Sequence, residues 1–304
     1  MRQESIKIDE SRAIEVITRT VKAKRDHTFI FEIQNEFPEE KFIKLMGEIG
    51  ENNPDYSLNS LFLITPLVRG DDTFKFFERV TNYPLVKENS WIFEPQKVVD
   101  AHNSGIDVKE VCRQTLRPGS YSGSYLNQWV HNCQILVDHY QGNVRQFFNI
   151  NDNNANEIIK KLVVKPRAKT KEKPEFRGFG PKIATLTVQW ANQYFIPLED
   201  ADLIGVPVDF QVSRILIQTG AIDIVDPQNV FQITHKTILP LIKDICKKED
   251  IKPKDVSESL WLIGSRCCNS QRHDLCPISD LCNGAISRES YDKEGKFYPI
   301  DTRK

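Results

Sequence analysis

The chain has 304 residues, 39% of them hydrophobic, with 41 Lys and Arg against 42 Asp and Glu for a formal net charge of −1. That size and apolar content provide for one large or two ordinary domains with real cores. The longest apolar run, around Leu61 to Val68, is far too short to span a bilayer, and no charged start leads into an apolar stretch and a cleavage site; a soluble intracellular protein of the cytoplasm or nucleoid, away from membranes, is expected.

Helical spacing dominates the pattern along the chain. Residues 1–50 carry no motif, and Thr28 to Glu32 is the best candidate for an alternating strand. Phe74, Phe77 and Val80 recur every third residue. Leu126, Trp129, Val130, Cys133, Leu136 and Val137 recur at three and four, which predicts an amphipathic helix ending at Gly142. Cys112, Cys133 and Cys246 sit singly among apolar neighbours and are expected to be small buried hydrophobes.

From Lys160 to Lys182, nine lysines and arginines face two glutamates, Glu172 and Glu175. This is a candidate phosphate-binding strip, or else a solvated basic loop. Within it Lys165 to Pro174 is rich in Lys and Pro and reads as an exposed loop between helices. Gly178 and Gly180 then allow a tight turn with positive backbone angles, and Pro181 opens a helix through Ile183, Leu186, Trp190 and Tyr194. The unpaired amides at such a helix start can hold a phosphate.

Four of the seven cysteines, Cys267, Cys268, Cys276 and Cys282, fall within sixteen residues. An odd set of thiols in a reducing compartment is no disulfide framework, so this cluster reads as a ligand set for a metal or iron–sulfur centre.

Taken in order, Gly123-Ser-Tyr-Leu-Asn-Gln-Trp through Gly142, Gly178-Phe-Gly-Pro-Lys-Ile-Ala184, Val206-Pro-Val-Asp-Phe-Gln-Val-Ser-Arg214 and Leu262-Ile-Gly264 before the cysteines resemble segments of the helix-hairpin-helix DNA glycosylases of the endonuclease III superfamily. The resemblance covers roughly residues 58–285. It implies a mostly α, two-lobed fold with a C-terminal metal-cluster loop: a helical barrel with the hairpin over residues 51–203, and a second lobe from residues 1–50 and 204–304. DNA would lie across the cleft between the lobes, with a damaged base flipped out of the stack. The expected partner is double-stranded DNA with a damaged base or an abasic site, bound by a monomer.

Position by position, the resemblance puts Lys182 where bifunctional members have their Schiff-base lysine and Asp209 where the family has its catalytic carboxylate. An amine can attack a sugar carbon when neutral, and a carboxylate can stabilise the positive charge that develops as the base leaves. Taken singly, the residues also have simpler roles: Asp209 as a helix N-cap and Lys182 as a phosphate contact. Arg177, Gly178 and Gly180 of the hairpin would contact DNA. So would Arg69, where many members have a glutamine that fills the hole left by the flipped base, and Gln211, where a histidine is usual.

The family holds a [4Fe-4S] cluster with the spacing Cys-x6-Cys-x2-Cys-x5-Cys. Here Cys276 and Cys282 keep the last interval, His273 stands at the second ligand position, and Cys268 is near the first. The resemblance therefore implies Cys268, His273, Cys276 and Cys282 as ligands, with Cys267 as the alternative to His273 and zinc as the alternative metal. The interval from Lys182 to Asp209 is wider than in compact members, Ile196 to Gly205 being the extra segment. A non-catalytic DNA-binding protein that has lost base excision, or a monofunctional glycosylase without lyase activity, is the rival expectation.

Overall fold

The computed structural model describes residues 5–34, 36–68, 73–119, 122–163, 176–283 and 295–298, and it is mostly helical. The chain divides into two compact units, Glu36–Ile204 and Met1–Asn35 with Gly205–Lys304.

Strand β1 (Ile6–Ile8) leads into α1 (Glu10–Arg25), whose N-cap Asp9 accepts a hydrogen bond from the Arg12 N–H at 2.9 Å. Thr28 to Glu32 is not a strand. The backbone passes through positive φ at His27 and Phe29 and closes a single helical turn, α2 (Ile30–Ile33). Adjacent Ile30 and Phe31 are both buried there, which the alternating faces of a strand cannot achieve.

The middle unit contains α3 (Pro38–Ile49), α4 (Pro54–Ile64), α5 (Thr73–Asn82), α6 (Leu85–Glu88), α7 (Pro95–Asn103), α8 (Val108–Leu116), α9 (Trp129–Tyr140), α10 (Val144–Ile150), α11 (Ala155–Val163) and α12 (Pro181–Tyr194). Prolines open α3, α4, α7 and α12 in the first turn, where a missing N–H costs nothing. The unit begins at Glu36 rather than at residue 51, because Phe42 and Met46 of α3 are fully buried in its core. Phe42 lies 5.5 Å from Phe77 and 5.9 Å from Phe93, ring centre to ring centre, so α3 cannot leave without opening an aromatic cluster. The α9 periodicity is realised: Trp129, Cys133, Leu136 and Tyr140 are buried, and the helix stops where Gln141 and Gly142 turn to φ 56° and 71°. Leu126, also buried, lies in the 3-10 segment Ser122–Gln128 that precedes it.

The other unit joins the N-terminal elements to α13 (Phe210–Gln218), β2 (Ile222–Ile224), β3 (Gln228–Asn229), α14 (Val230–Ile233), α15 (Leu239–Lys248), α16 (Pro253–Leu262) and β4 (Lys296–Phe297). The motif-free N-terminus completes this unit. β1 pairs antiparallel with β2, and α1 packs on α16, where Lys24 forms ion pairs with Asp255 at 2.8 Å and with Glu258. A π-helical turn, Ile263–Cys268, continues α16 into the cysteine loop. No helix among the described residues is long and apolar enough to cross a membrane.

One polar cluster makes the middle unit acid-sensitive. Arg145 Nε and Asn143 Nδ2, the latter at 2.7 Å, donate to the Asp55 carboxylate at the start of α4. Burial opposes its ionisation, but these hydrogen bonds and the Arg145 charge outweigh it and hold the carboxyl below its ordinary value. A depressed carboxylate contributes stability that is complete above the unfolded-state value and lost as pH falls through the folded one. Thermal midpoints should therefore decline below about pH 4. Asp55→Asn should lower the neutral-pH midpoint and flatten that acid slope, whereas parallel slopes in the two proteins would contradict the assignment.

Candidate functional site

The glycine turn is built into the core of the middle unit. Phe176 and Phe179 are buried, with ring centres 5.0 and 4.8 Å from that of Phe62, and Phe176 stacks on Tyr140 at 5.9 Å. Between them, Arg177 turns its side chain outward while its backbone is gripped by Asn132 of α9. Arg177 N–H donates to Asn132 Oδ1 at 2.8 Å, and Asn132 Nδ2 donates to Arg177 O at 3.0 Å. Asn132 is only 3% exposed, so it mimics a strand neighbour inside the core.

Gly178 is required twice over. Its φ is +92°, and a Cβ there would lie 3.0 Å from both Gln128 Oε1 and Pro66 Cβ. Gly180 differs from the expectation of a second positive angle. It has φ −81°, opens onto space, and serves as the N-cap of α12 without any side-chain cap. The first turn of this 14-residue helix thus starts with its N–H groups uncovered by a capping side chain, Pro181 contributing none and Lys182 and Ile183 the next two. Lys182 is half-buried at the second helical position.

In the other unit Asp209 is the N-cap of α13: its Oδ1 accepts from the Gln211 N–H at 2.8 Å and the Val212 N–H at 3.1 Å. The sequence's simpler role for Asp209 is therefore present, and it fixes the carboxylate's direction through one oxygen. Gln211 is buried, its Oε1 without a hydrogen-bond partner among the described residues. Its backbone carbonyl would lie 2.7 Å from a Cβ on Gly264, which explains why a glycine opens the approach to the cysteines. Arg214, 2% exposed, donates from Nη2 to Gly264 O and hydrogen-bonds Cys268. The Asp209 helix and the cysteine loop are thereby fastened together at one point.

The four thiols interact with one another. The Cys267 thiol donates to Leu275 O at 3.5 Å, and the neighbouring Cys276 sulfur pushes Cys267 far up while Cys276 is held below its ordinary value. Burial pushes Cys268 up to about 11 against the opposing charge of Arg214, and Cys276 and Cys282 are near enough to add to that rise. Adjacent Cys267 and Cys268 end the π-helical turn Ile263–Cys268. His273 is exposed. Arg19 of α1 braces the loop, donating to Asp280 at 2.7 and 2.9 Å and to Pro277 O at 2.8 Å. The donor chemistry is that of a thiolate-bound iron or zinc centre, although no three His, Cys, Asp or Glu side chains among the described residues already surround a common point.

Lys182 and the hairpin thus belong to one unit, and Asp209, Gln211 and the thiols to the other. Arg69 and the loop Lys165 to Pro174 lie outside the described residues. Two residues that matter here have no role in the sequence reading: Asn132 and Arg214. Arg214 was detectable as a charge set among the apolar residues of Val212 to Ile217, whereas Asn132, between His131 and Cys133, was not. Cys112, Cys133 and Cys246 are buried, as expected of small hydrophobes, and burial pushes each thiol up.

The two glycines should respond differently to the same change. Gly178→Ala must pay for a left-handed angle and a close approach to Pro66, a loss of about 2 kcal/mol or more in urea unfolding. Gly180→Ala should cost under about 1 kcal/mol. Equal losses at both positions would contradict the turn geometry. No family model matches the chain, and no curated protein matches it.

Proposed function

We propose that the chain is a base-excision DNA N-glycosylase with an associated abasic-site lyase activity, acting on a damaged base flipped from duplex DNA. The observation that carries this reading is the hairpin. A turn clamped by Asn132 leads at Gly180 into a helix start without a side-chain cap, with Lys182 at the second position and exposed Arg177 beside it. Backbone amides and a guanidinium suit a DNA phosphate, and contacts of that kind set position rather than sequence.

In this reading the Lys182 amine attacks C1′ of the extruded nucleoside. The base leaves with the bonding electron pair and takes up a proton; the C1′–O4′ bond then opens, O4′ taking up a proton as the amine gives up its own and the imine forms. Loss of a C2′ proton to a base with departure of the 3′ phosphate then cuts the strand. Asp209, its direction fixed by two N–H donors, stabilises the positive charge on the sugar as the base departs. A [4Fe-4S] cluster, with zinc as the alternative, would be held by Cys268, Cys276 and Cys282. Burial of Cys267 within the loop favours it over exposed His273 as the fourth ligand. When bound, such a centre supplies a rigid link between the short turns of the loop.

The N-cap role of Asp209 also favours a second reading, a DNA-binding protein that does not excise bases. Borohydride trapping on duplexes with oxidised or deaminated bases and with abasic sites separates the two. The glycosylase–lyase reading expects a covalent adduct that falls by about 100-fold or more in Lys182→Ala. Binding to abasic DNA with no base release, unchanged in Asp209→Asn, would overturn it in favour of the second reading. Base release without an adduct would remove the lyase step alone. For the metal, the anaerobically purified protein should be brown and lose its colour in Cys276→Ser. A colourless protein carrying zinc would replace the cluster with the alternative.

A further inference from the structure

The last described segment of the chain is fastened to the Asp209 helix. Phe297 of β4 is 1% exposed, and its ring stacks on Phe210 with centres 5.8 Å apart and planes 11° from parallel. β4 is held there by antiparallel pairing with β3, Gln228 opposite Phe297 and Asn229 opposite Lys296, and Gly295 O accepts from the Val230 N–H at 3.0 Å. A two-residue strand pair has little stability of its own, so burial of the Phe297 ring is what keeps this segment in place.

Phe210 follows Asp209 directly and is the first residue of α13. A first-turn residue donates no intrahelical N–H bond, and such turns fray unless their side chains are packed. The Phe297 ring and the Arg214 guanidinium, 5.2 Å from its centre, both pack on Phe210. The same turn supplies the Gln211 and Val212 N–H groups that aim the Asp209 carboxylate.

We propose that Phe297 is a positioning residue for Asp209, so that the C-terminal segment is a working part of the site. By packing Phe210 it holds the first turn of α13 in register, and that turn orients the carboxylate. The effect on base release rests on the catalytic reading of Asp209; the effect on the helix start does not.

The test is amide hydrogen exchange on the full-length protein, read beside single-turnover base release. In Phe297→Ala, exchange at Gln211 and Val212 should accelerate by about tenfold while the amides of Ile215 to Gln218 keep their protection. The single-turnover rate of base release should fall with little change in DNA affinity, and Phe297→Tyr should restore both that rate and the amide protection. Phe297→Leu, which keeps most of the buried volume, should give a smaller acceleration at the same two amides. Unchanged exchange at Gln211 and Val212, or equal acceleration along all of α13, would overturn the inference. Selective acceleration in a protein whose parent form releases no base would leave Phe297 as positioning residue and overturn the catalytic reading of Asp209 instead.

Discussion

A single side chain, Asn132, clamps the glycine turn before α12. Its carboxamide accepts from and donates to the backbone of Arg177 inside the core, where an unmade hydrogen bond costs about 1–3 kcal/mol. Because Asn132 is buried, the turn cannot drift outward without orphaning both polar atoms of its carboxamide. Phe176 and Phe179 on either side of the clamp fill the same aromatic cluster as Phe62 and Phe147, so the anchor is apolar as well as polar. Asn59 of α4 holds the backbone just after α9 in the same way, donating to Gly142 O at 3.1 Å and accepting from the Val144 N–H at 2.9 Å. Two buried carboxamides thus fix both ends of the polypeptide that frames α9 and α12.

The second unit is governed by a close approach rather than a clamp. Gly264 has no side chain because the Gln211 carbonyl occupies the space, and Arg214 spans from that contact to Cys268. Any movement of the cysteine loop is therefore felt at α13, and any movement of α13 at the loop. A buried guanidinium is costly unless its donors are used, which is consistent with its contacts to Gly264, Cys268 and the Phe210 ring. Under the proposed function, this is the route by which a metal centre that does no bond-breaking would still matter to the carboxylate.

Much of this was legible before any coordinates. The three- and four-residue spacing around Trp129 and the proline at 181 marked α9 and α12, because one apolar stripe against a core leaves that period in the sequence. The break at Gly142 was legible for a related reason, since left-handed angles select glycine. The α2 turn was not: five residues are too few for periodicity to tell a helix from a strand, and burial of both Ile30 and Phe31 depends on tertiary packing. The start of the middle unit at Glu36 was hidden because α3 joins its core through Phe42 and Met46, contacts distant in sequence. Within the site, Gly178 has the positive angle that its residue type suggests, whereas Gly180 has an ordinary negative angle and open space around it, so neither angle nor crowding requires a glycine there. The thiols were countable, but the π-helical turn that Cys267 and Cys268 end has no sequence signature. Phe297 was unreadable because its partner, Phe210, is 87 residues away and the strand that holds it has two residues.

The central claim is that the α12 start, held by Asn132, receives a DNA phosphate. Its most direct measurement is the response of the backbone amide resonances from Gly178 to Ala184 when isotope-labelled protein is titrated with a duplex containing an abasic site. The account predicts the largest shifts at Gly180, Lys182 and Ile183, weakening steeply as salt is raised. Saturable DNA binding that leaves those three amides unmoved would contradict it.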